Sequence, residues 1–432
     1  MIINNNIPAL NTYRMMNTAA NGTSSSMEKL SSGQRINKAA DDAAGLAISE
    51  KMRGQIRGLE MAQKNAQDGV SMLQTAEGAL NETHSILQRM RELSVQSAND
   101  TNTTSDREKL QGEIDALAEE VARIGSSTEF NGKKLLNGSL DATFQIGANE
   151  NQNISVKLGD AQSFSLGVTG GVKLEVTSAY TAGTGTTGDS LVAGAYSVSE
   201  NAAGNHDMKD DNGKVVATST DGGLTYTTKA FDGGTGDDSF TFSQAVTSGT
   251  VTYDGTTGTA NTTAVKATAE FTNTGLEAGT YTFNGTDGVL EDVNGDVVAR
   301  LDTDGVTFKG ADGTKVFAAT VGLTDGDTLK VGGIDISSQD SANKAISKIN
   351  SAIETVSAER SKMGAVQNRL QFTTNSLSTT AENLTAAESR IRDVDMAKEM
   401  MAFTKNNILS QAAQSMLAQA NQQPQAVLQL LR

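Results

Sequence analysis

Residues 52–93 read MRGQIRGLEMAQKNAQDGVSMLQTAEGALNETHSILQRMREL, and their apolar members return on the step of a heptad. Met52, Ile56, Leu59, Ala66, Val70, Leu73, Leu80 and Leu87 form one stripe, and Met72, Ala76, Ala79, Ile86, Met90 and Leu93 form a second beside it. A single seam serves a two-stranded coil, whereas two adjacent seams let one helix touch two or more neighbours. Gly54, Gly58, Gly69 and Gly78 lie inside the stretch. Each costs up to about 1 kcal/mol against alanine, so close approach of a neighbouring helix is expected at those points.

The pattern breaks at Ser97-Ala98-Asn99-Asp100-Thr101-Asn102-Thr103-Thr104. Ser105 and Glu108 then have the spacing of a capping box, which satisfies the free N–H groups of a new helix start. Leu110, Ile114, Leu117, Val121 and Ile124 carry the heptad onward, and Ile346, Ile349, Ile353, Val356, Met363, Leu370, Leu377, Leu384 and Ile391 repeat it near the other end. Three long helices with matching seams predict an elongated, coiled-coil-like bundle built from both termini. Its expected core includes Leu73, Leu110, Leu117, Val121, Ile353, Val356 and Leu370.

Two shorter apolar segments stand outside that bundle. Ile2, Ile3, Ile7, Leu10, Met15 and Met16 mark the first, and Met400, Met401, Phe403, Ile408, Leu409, Met416, Leu417, Val427, Leu428, Leu430 and Leu431 mark the second. Such stripes at the extremities are an aggregation liability unless another molecule covers them. Self-association through Ile3, Ile7, Leu10, Ile408, Leu409, Met416, Leu417, Leu428, Leu430 and Leu431 is the expectation. The only prolines, Pro8 and Pro424, also fall here, which leaves every helix between them free of that breaker.

The middle differs in kind. Residues 166–333 hold 29 of the 43 glycines and 12 of the 18 aromatics, and their 22 acidic against 9 basic side chains supply most of the formal charge of −16. Short Val/Thr/Phe/Tyr runs alternate there with Asn-Gly, Asp-Gly and Gly-Gly turns, the signature of antiparallel hairpins. An internal repeat is present. Ala193–Val198 matches Ala278–Phe283, Asn212–Ala217 matches Asn294–Ala299, and Thr220–Tyr226 matches Thr303–Phe308. Two related β modules, about 190–270 and 275–333, are expected. The chain therefore reads as α+β and multidomain: 1–40 and 395–432 as terminal helices, 41–165 and 335–394 as the bundle with a short hairpin segment near 130–165, and 166–333 as a displayed β insertion.

Composition narrows function. There is no cysteine, hence no disulfide and no thiolate metal site. No apolar run approaches the length of a membrane span, and the start lacks the basic and apolar regions of a secretory signal. Acidity argues against nucleic acid, which needs clustered Lys and Arg. Zinc proteolysis needs two histidines four apart on a helix with a glutamate between them, and His84 and His206 cannot supply that. Asp207, Asp210, Asp211 and Asn212 are partly similar to a calcium loop, but Thr218 stands where the closing glutamate belongs, so a hairpin turn is expected. No catalytic or cofactor site is expected.

The stretch Leu30-Ser31-Ser32-Gly33-Gln34-Arg35-Ile36-Asn37-Lys38-Ala39-Ala40-Asp41-Asp42-Ala43-Ala44-Gly45-Leu46-Ala47-Ile48 resembles the N-terminal signature of bacterial flagellins. Ala418–Arg432 resembles their C-terminus, and Gln88–Asn99 and Phe130–Leu136 are similar to two further blocks. The resemblance implies a filament subunit whose terminal helices pair around the filament's inner tube while the inserted region projects outward. It also implies type III export without cleavage, an export chaperone on the C-terminal segment, hook-associated and cap proteins as partners, and a host Toll-like receptor that reads Arg89, Leu93 and Glu113. A hook–filament junction protein, or a filament subunit with an adhesive outer domain, are the alternatives.

Overall fold

A computed structural model of the chain describes residues 6–430 apart from 179–192, 202–203, 211–212, 229–238, 248, 254–264, 311–312 and 320–321, with side chains described as far as residue 422. Ile2, Ile3, Asp211, Asn212 and Leu431, and the side chains of Val427, Leu428 and Leu430, fall outside the described part. Five helices make up the two ends: α1 (Ile7–Ser32), α2 (Ala43–Ser97), α3 (Thr104–Ser127), α4 (Gln339–Arg392) and α5 (Met396–Leu430). By contacts the chain divides into two compact units. One comprises Met1–Val70, Thr143–Ser155 and Gln367–Arg432, and the other Ser71–Ala142 and Val156–Val366.

The helices form where the heptads place them, but the buried seams differ from the expected stripes. In α2 the buried positions from Leu59 onward include Ala62, Ala66, Leu73, Ala76, Leu80, Thr83, Leu87, Met90, Ser94 and Ser97. These follow one seam on alternating steps of three and four, half of it small or hydroxylated, and Met72 and Leu93 of the second expected stripe are buried beside it. In α3 the seam is Gln111, Ile114, Ala118, Val121 and Gly125, so Leu110, Leu117 and Ile124 are only half-buried at its flank. In α4, Ala342, Ala345, Ile349, Ala352, Val356, Met363 and Leu370 are buried while Ile353 is half-buried. Of the residues expected at the core, Leu73, Val121, Val356 and Leu370 are buried, whereas Leu110, Leu117 and Ile353 are only half-buried, which corrects their expected inward placement. Small residues take the inward positions because they admit a close neighbour: Gly125 lies against Gln162, and Ala118 against Gly333.

Three local expectations are also corrected. The α3 capping box is Thr103 with Asp106, not Ser105 with Glu108: each side chain bonds the other's backbone N–H, at 3.3 Å and 3.2 Å. Among the α2 glycines, Gly58 and Gly69 face Ala148 and Phe144, whereas Gly54 and Gly78 face open space. Those neighbours belong to a hairpin, not a helix. It is formed by β3 (Asp141–Gln145) and β4 (Asn153–Lys157), and a smaller one by β1 (Glu129–Phe130) and β2 (Lys133–Lys134) precedes it.

Among its described residues the insertion forms a single antiparallel sheet of 14 strands. Its first half supplies β5 (Thr169–Ser178), β6 (Gly194–Glu200), β7 (His206–Lys209), β8 (Val215–Ser219), β9 (Thr225–Thr228), β10 (Ser239–Thr241) and β11 (Gly249–Tyr253). The second supplies β12 (Val265–Phe271), β13 (Gly279–Asn284), β14 (Val289–Glu291), β15 (Val297–Leu301), β16 (Thr307–Gly310), β17 (Lys315–Ala318) and β18 (Thr328–Gly333). The sheet order is β10-β9-β8-β7-β6-β11-β12-β5-β18-β13-β14-β15-β16-β17.

Either side of the central β12–β5 pair carries the same order, and the registers repeat as well. Val198 opposes Met208 as Phe283 opposes Leu290. Met208 opposes Ala217 as Leu290 opposes Ala299, with a register shift directly after Met208 and after Leu290. Tyr226 stacks on Phe240 at 5.6 Å between ring centres, and Phe308 on Phe317 at 4.6 Å. The first strands are exchanged: β5 pairs with β18 of the other half, and β12 with β11. The repeating units thus begin at 169 and 265, earlier than the expected 190 and 275. One continuous apolar cluster, from Val172 to Val331, runs through both halves.

Both outer strands are bonded from within. Thr274 donates to the carbonyls of Val316 (2.8 Å) and Lys315 (2.9 Å) on β17, and the Ser178 hydroxyl to the Thr241 carbonyl on β10 (2.7 Å). An unpaired edge is a template for aggregation, and these bonds blunt it. Asp210 accepts the Lys214 N–H at 2.8 Å just beyond the antiparallel β7–β8 pair, so the described part of that acidic stretch belongs to a hairpin. At the foot of the sheet, β18 docks on α3: the Asp115 carboxylate accepts the Gly333 N–H (2.8 Å), and Gln111 accepts from Ile336 (2.7 Å).

Candidate functional site

The terminal helices α1 and α5 lie antiparallel. Asn6 caps α1 by accepting the Ala9 N–H at 3.1 Å, and its amide donates to the Ala420 carbonyl at 2.9 Å. Further along, a Cβ on Gly22 would stand 2.7 Å from the Asn406 side chain, so the helices approach closely there. Pro8 sits in the first turn of α1, where its missing N–H costs nothing.

This pair is inverted in its apolar arrangement. On α1 and the described part of α5 the buried side chains are Ala19, Ser26 and Ala420. The large ones point out: Ile7 is 57% exposed, Leu10 60%, Met15 69%, Met401 68% and Ile408 61%. Tyr13, Met27, Met396, Met400, Leu409 and Met416 are exposed with them, and Leu417 is half-buried. Met400, Met401, Thr404, Lys405, Ile408 and Leu409 line an open apolar groove along α5. Of the 17 large apolar side chains exposed among the described residues, all but Val95, Val293 and Val297 belong to the unit that holds these helices. Hydrophobic surface of that extent, concentrated in one unit, marks a protein–protein contact.

The same unit also exposes large side chains that the sequence reading missed. Ile48, Met61 and Phe372 are exposed on the long helices of this unit, Phe372 to 75%. The only sign of them in the sequence was an apolar residue off the heptad seam.

The three residues expected to meet a host receptor are close together but differ in access. The Arg89 guanidinium bonds Glu113 across from α2 to α3, through Nε at 2.9 Å and Nη2 at 2.8 Å, and reaches Glu92 at 3.2 Å. These bonds hold Arg89 above its ordinary range, Glu113 contributing most. Leu93 is fully buried, so its side chain serves the core. His84 lies on α2 and His206 on β7, and among the described residues no three metal-ligating side chains gather.

Comparison with known proteins now decides the family. The description of the bacterial flagellin N-terminal helical region matches residues 3–141, and that of the C-terminal helical region matches 346–431. A flagellin of Clostridium tyrobutyricum is 44% identical over 98% of this chain and 100% of its own, and one of Bacillus subtilis is 40% identical over the full length of both. The chain belongs to the flagellin family. This flagellin is a structural subunit of the bacterial flagellar filament. A solved chain, FliC from Burkholderia pseudomallei, aligns over 70% of this chain and 99% of its own at 23% identity, with a TM-score of 0.31.

Proposed function

We propose that this flagellin polymerises through the outward apolar faces of α1 and α5. Ile7, Leu10, Ile408, Leu409 and Met416 carry the contact, Leu417 lies at its margin, and Ile3, Leu428, Leu430 and Leu431 extend it. The observation behind this is the inversion in the terminal pair, where small residues face inward and large ones face water. Burying such side chains gains about 25 cal/mol per Å², which offsets the ordering of the segments. Simultaneous Leu10→Ser and Ile408→Ser in the full chain tests it. Pelleted polymer should be lost while the monomer's β-sheet signal persists; polymerisation at the wild-type level would refute the reading.

The same exposed groove on α5 suits an export chaperone before assembly, and the filament ends suit hook-associated and cap proteins. Export leaves the N-terminus uncleaved. Arg89 and Glu113 present a half-exposed polar patch to a host receptor, with Leu93 supporting it from beneath. The chain is read as a non-enzyme. The hook–filament junction alternative is set aside, since the full-length relatives are named flagellins.

A further inference from the structure

Between the terminal helices and the long helices the chain crosses twice, at residues 33–42 and again at 393–395. The two crossings are bonded to each other. Gln34 and Asp393 form an isolated antiparallel bridge; the Arg35 N–H donates to the Arg392 carbonyl (2.7 Å) and the Val394 N–H to the Gly33 carbonyl (3.1 Å). Gly33, with φ at 69°, supplies the left-handed turn that ends α1 and starts the bridge.

The longer crossing is itself rigid. Asp41 accepts the N–H groups of Asn37 and Lys38 at 3.0 Å and 2.9 Å. Ile36 is fully buried, and Asp42 accepts the Gly45 N–H at 2.9 Å to open α2. Arg35 donates to the Ile391 carbonyl at 2.5 Å, where the free carbonyls of a helix end favour a cation.

Arg392 closes the joint. Its side chain, 12% exposed, ends α4, donates through Nη1 to Glu50 on α2 at 2.6 Å, and through Nε to Gln34 on the crossing at 3.1 Å. One guanidinium thereby ties both long helices to the segment leaving α1. A hinge needs connections that can absorb rotation, and here neither crossing can turn without breaking bonds to the other.

We propose that Arg392 is a positioning residue for assembly: through Glu50 and Gln34 it fixes the angle between the terminal helix pair and the long helices, and so sets the helical form of the filament. This rests on the self-association reading above. In a polymer of identical subunits an internal angle is repeated at every step, so a small change in one joint accumulates into a visible change of pitch. An ion pair with one half-exposed partner adds little to stability, which places the effect in shape and not in folding.

The experiment uses the full chain with Arg392→Gln, Arg392→Lys, Glu50→Gln, and the exchange of Arg392→Glu with Glu50→Arg. Monomer melting, pelleted polymer and filament pitch by electron microscopy are measured for each. Arg392→Gln and Glu50→Gln should melt like wild type and polymerise within about twofold of it, yet give filaments of the same altered pitch. Arg392→Lys should lie closer to wild type, and the exchange should move pitch back toward it. Unchanged pitch in Arg392→Gln and Glu50→Gln overturns the proposal. So does loss of polymer with normal melting, which would place Arg392 in the contact itself, and so does collapse of monomer melting in both single variants. If wild type forms no polymer, the parent reading falls and takes this one with it.

Discussion

The fourteen-strand sheet and the terminal helix pair handle apolar side chains in opposite ways. In the sheet Tyr226, Phe240, Phe308 and Phe317 are all but inaccessible, and both outer strands are bonded from within. In the helix pair alanine and serine face inward while methionine, isoleucine and leucine face water. One region is complete as a single chain. The other leaves its large side chains to the solvent, and the proposed self-association would bury them.

The largest test of that contrast is removal. A chain ending at residue 395 should form no filament, while a chain with 172–331 replaced by a short Gly/Ser linker should still polymerise. The linker is feasible because Thr169 and Gly333 oppose each other in register at the foot of the sheet. Filaments from the tail-deleted chain, counted by electron microscopy, would break the comparison. Next in size, Phe308→Ala and Tyr226→Ala should each destabilise the sheet by about 3–5 kcal/mol, as for buried aromatic residues generally. Because one core runs through both halves, calorimetry should show the whole sheet melting earlier in either variant, with polymerisation preserved; a separate transition for each half would count against a shared core.

Within the helices, Leu93→Ala should cost about 2–5 kcal/mol and Leu117→Ala only about 1–2 kcal/mol, since the first is fully buried and the second half-buried. Equal losses in chemical denaturation would mean that the observed seam is not the core. The smallest effect concerns pH. The Arg392 hydrogen bond holds the Glu50 carboxyl below its ordinary value near 4.5. A depressed folded value means a contribution that is present above that ordinary value and fades as pH falls through the folded one. Acid titration of filament pitch should therefore show a step below about pH 4.5 that Glu50→Gln abolishes; superimposable profiles would sink it.

Much of the architecture was legible because heptads and hairpin turns are local patterns. What escaped was set by contacts far away in sequence. Large side chains marked the stripes, yet the inward positions of α3 and α4 went to Ala118, Gly125, Ala345 and Ala352, which have too little apolar weight to announce themselves. The repeat in the insertion was visible where turns match, but the exchange of β5 and β12 was not, since those strands lie outside the three matching blocks. At the candidate surface the outward residues of α1 and α5 were readable from their position at the extremities. Phe372 was not, because one aromatic on a long helix looks like core. Nor could Arg392 and Glu50, 342 positions apart, be joined on paper.

The exchanged first strands carry a historical consequence. Two copies of a seven-strand chain, each lending its first strand to the other, would build the same sheet with no covalent link between them. The insertion therefore has, in one polypeptide, the pairing plan that a symmetric dimer would have. The two halves differ in side chains: Asp207 of one strand corresponds to Val289 of the other, while the register around them is the same. Cutting the chain between Tyr253 and Val265 should leave the fragments together on gel filtration, as an ancestral pair would have been; fragments that elute apart would argue against that descent.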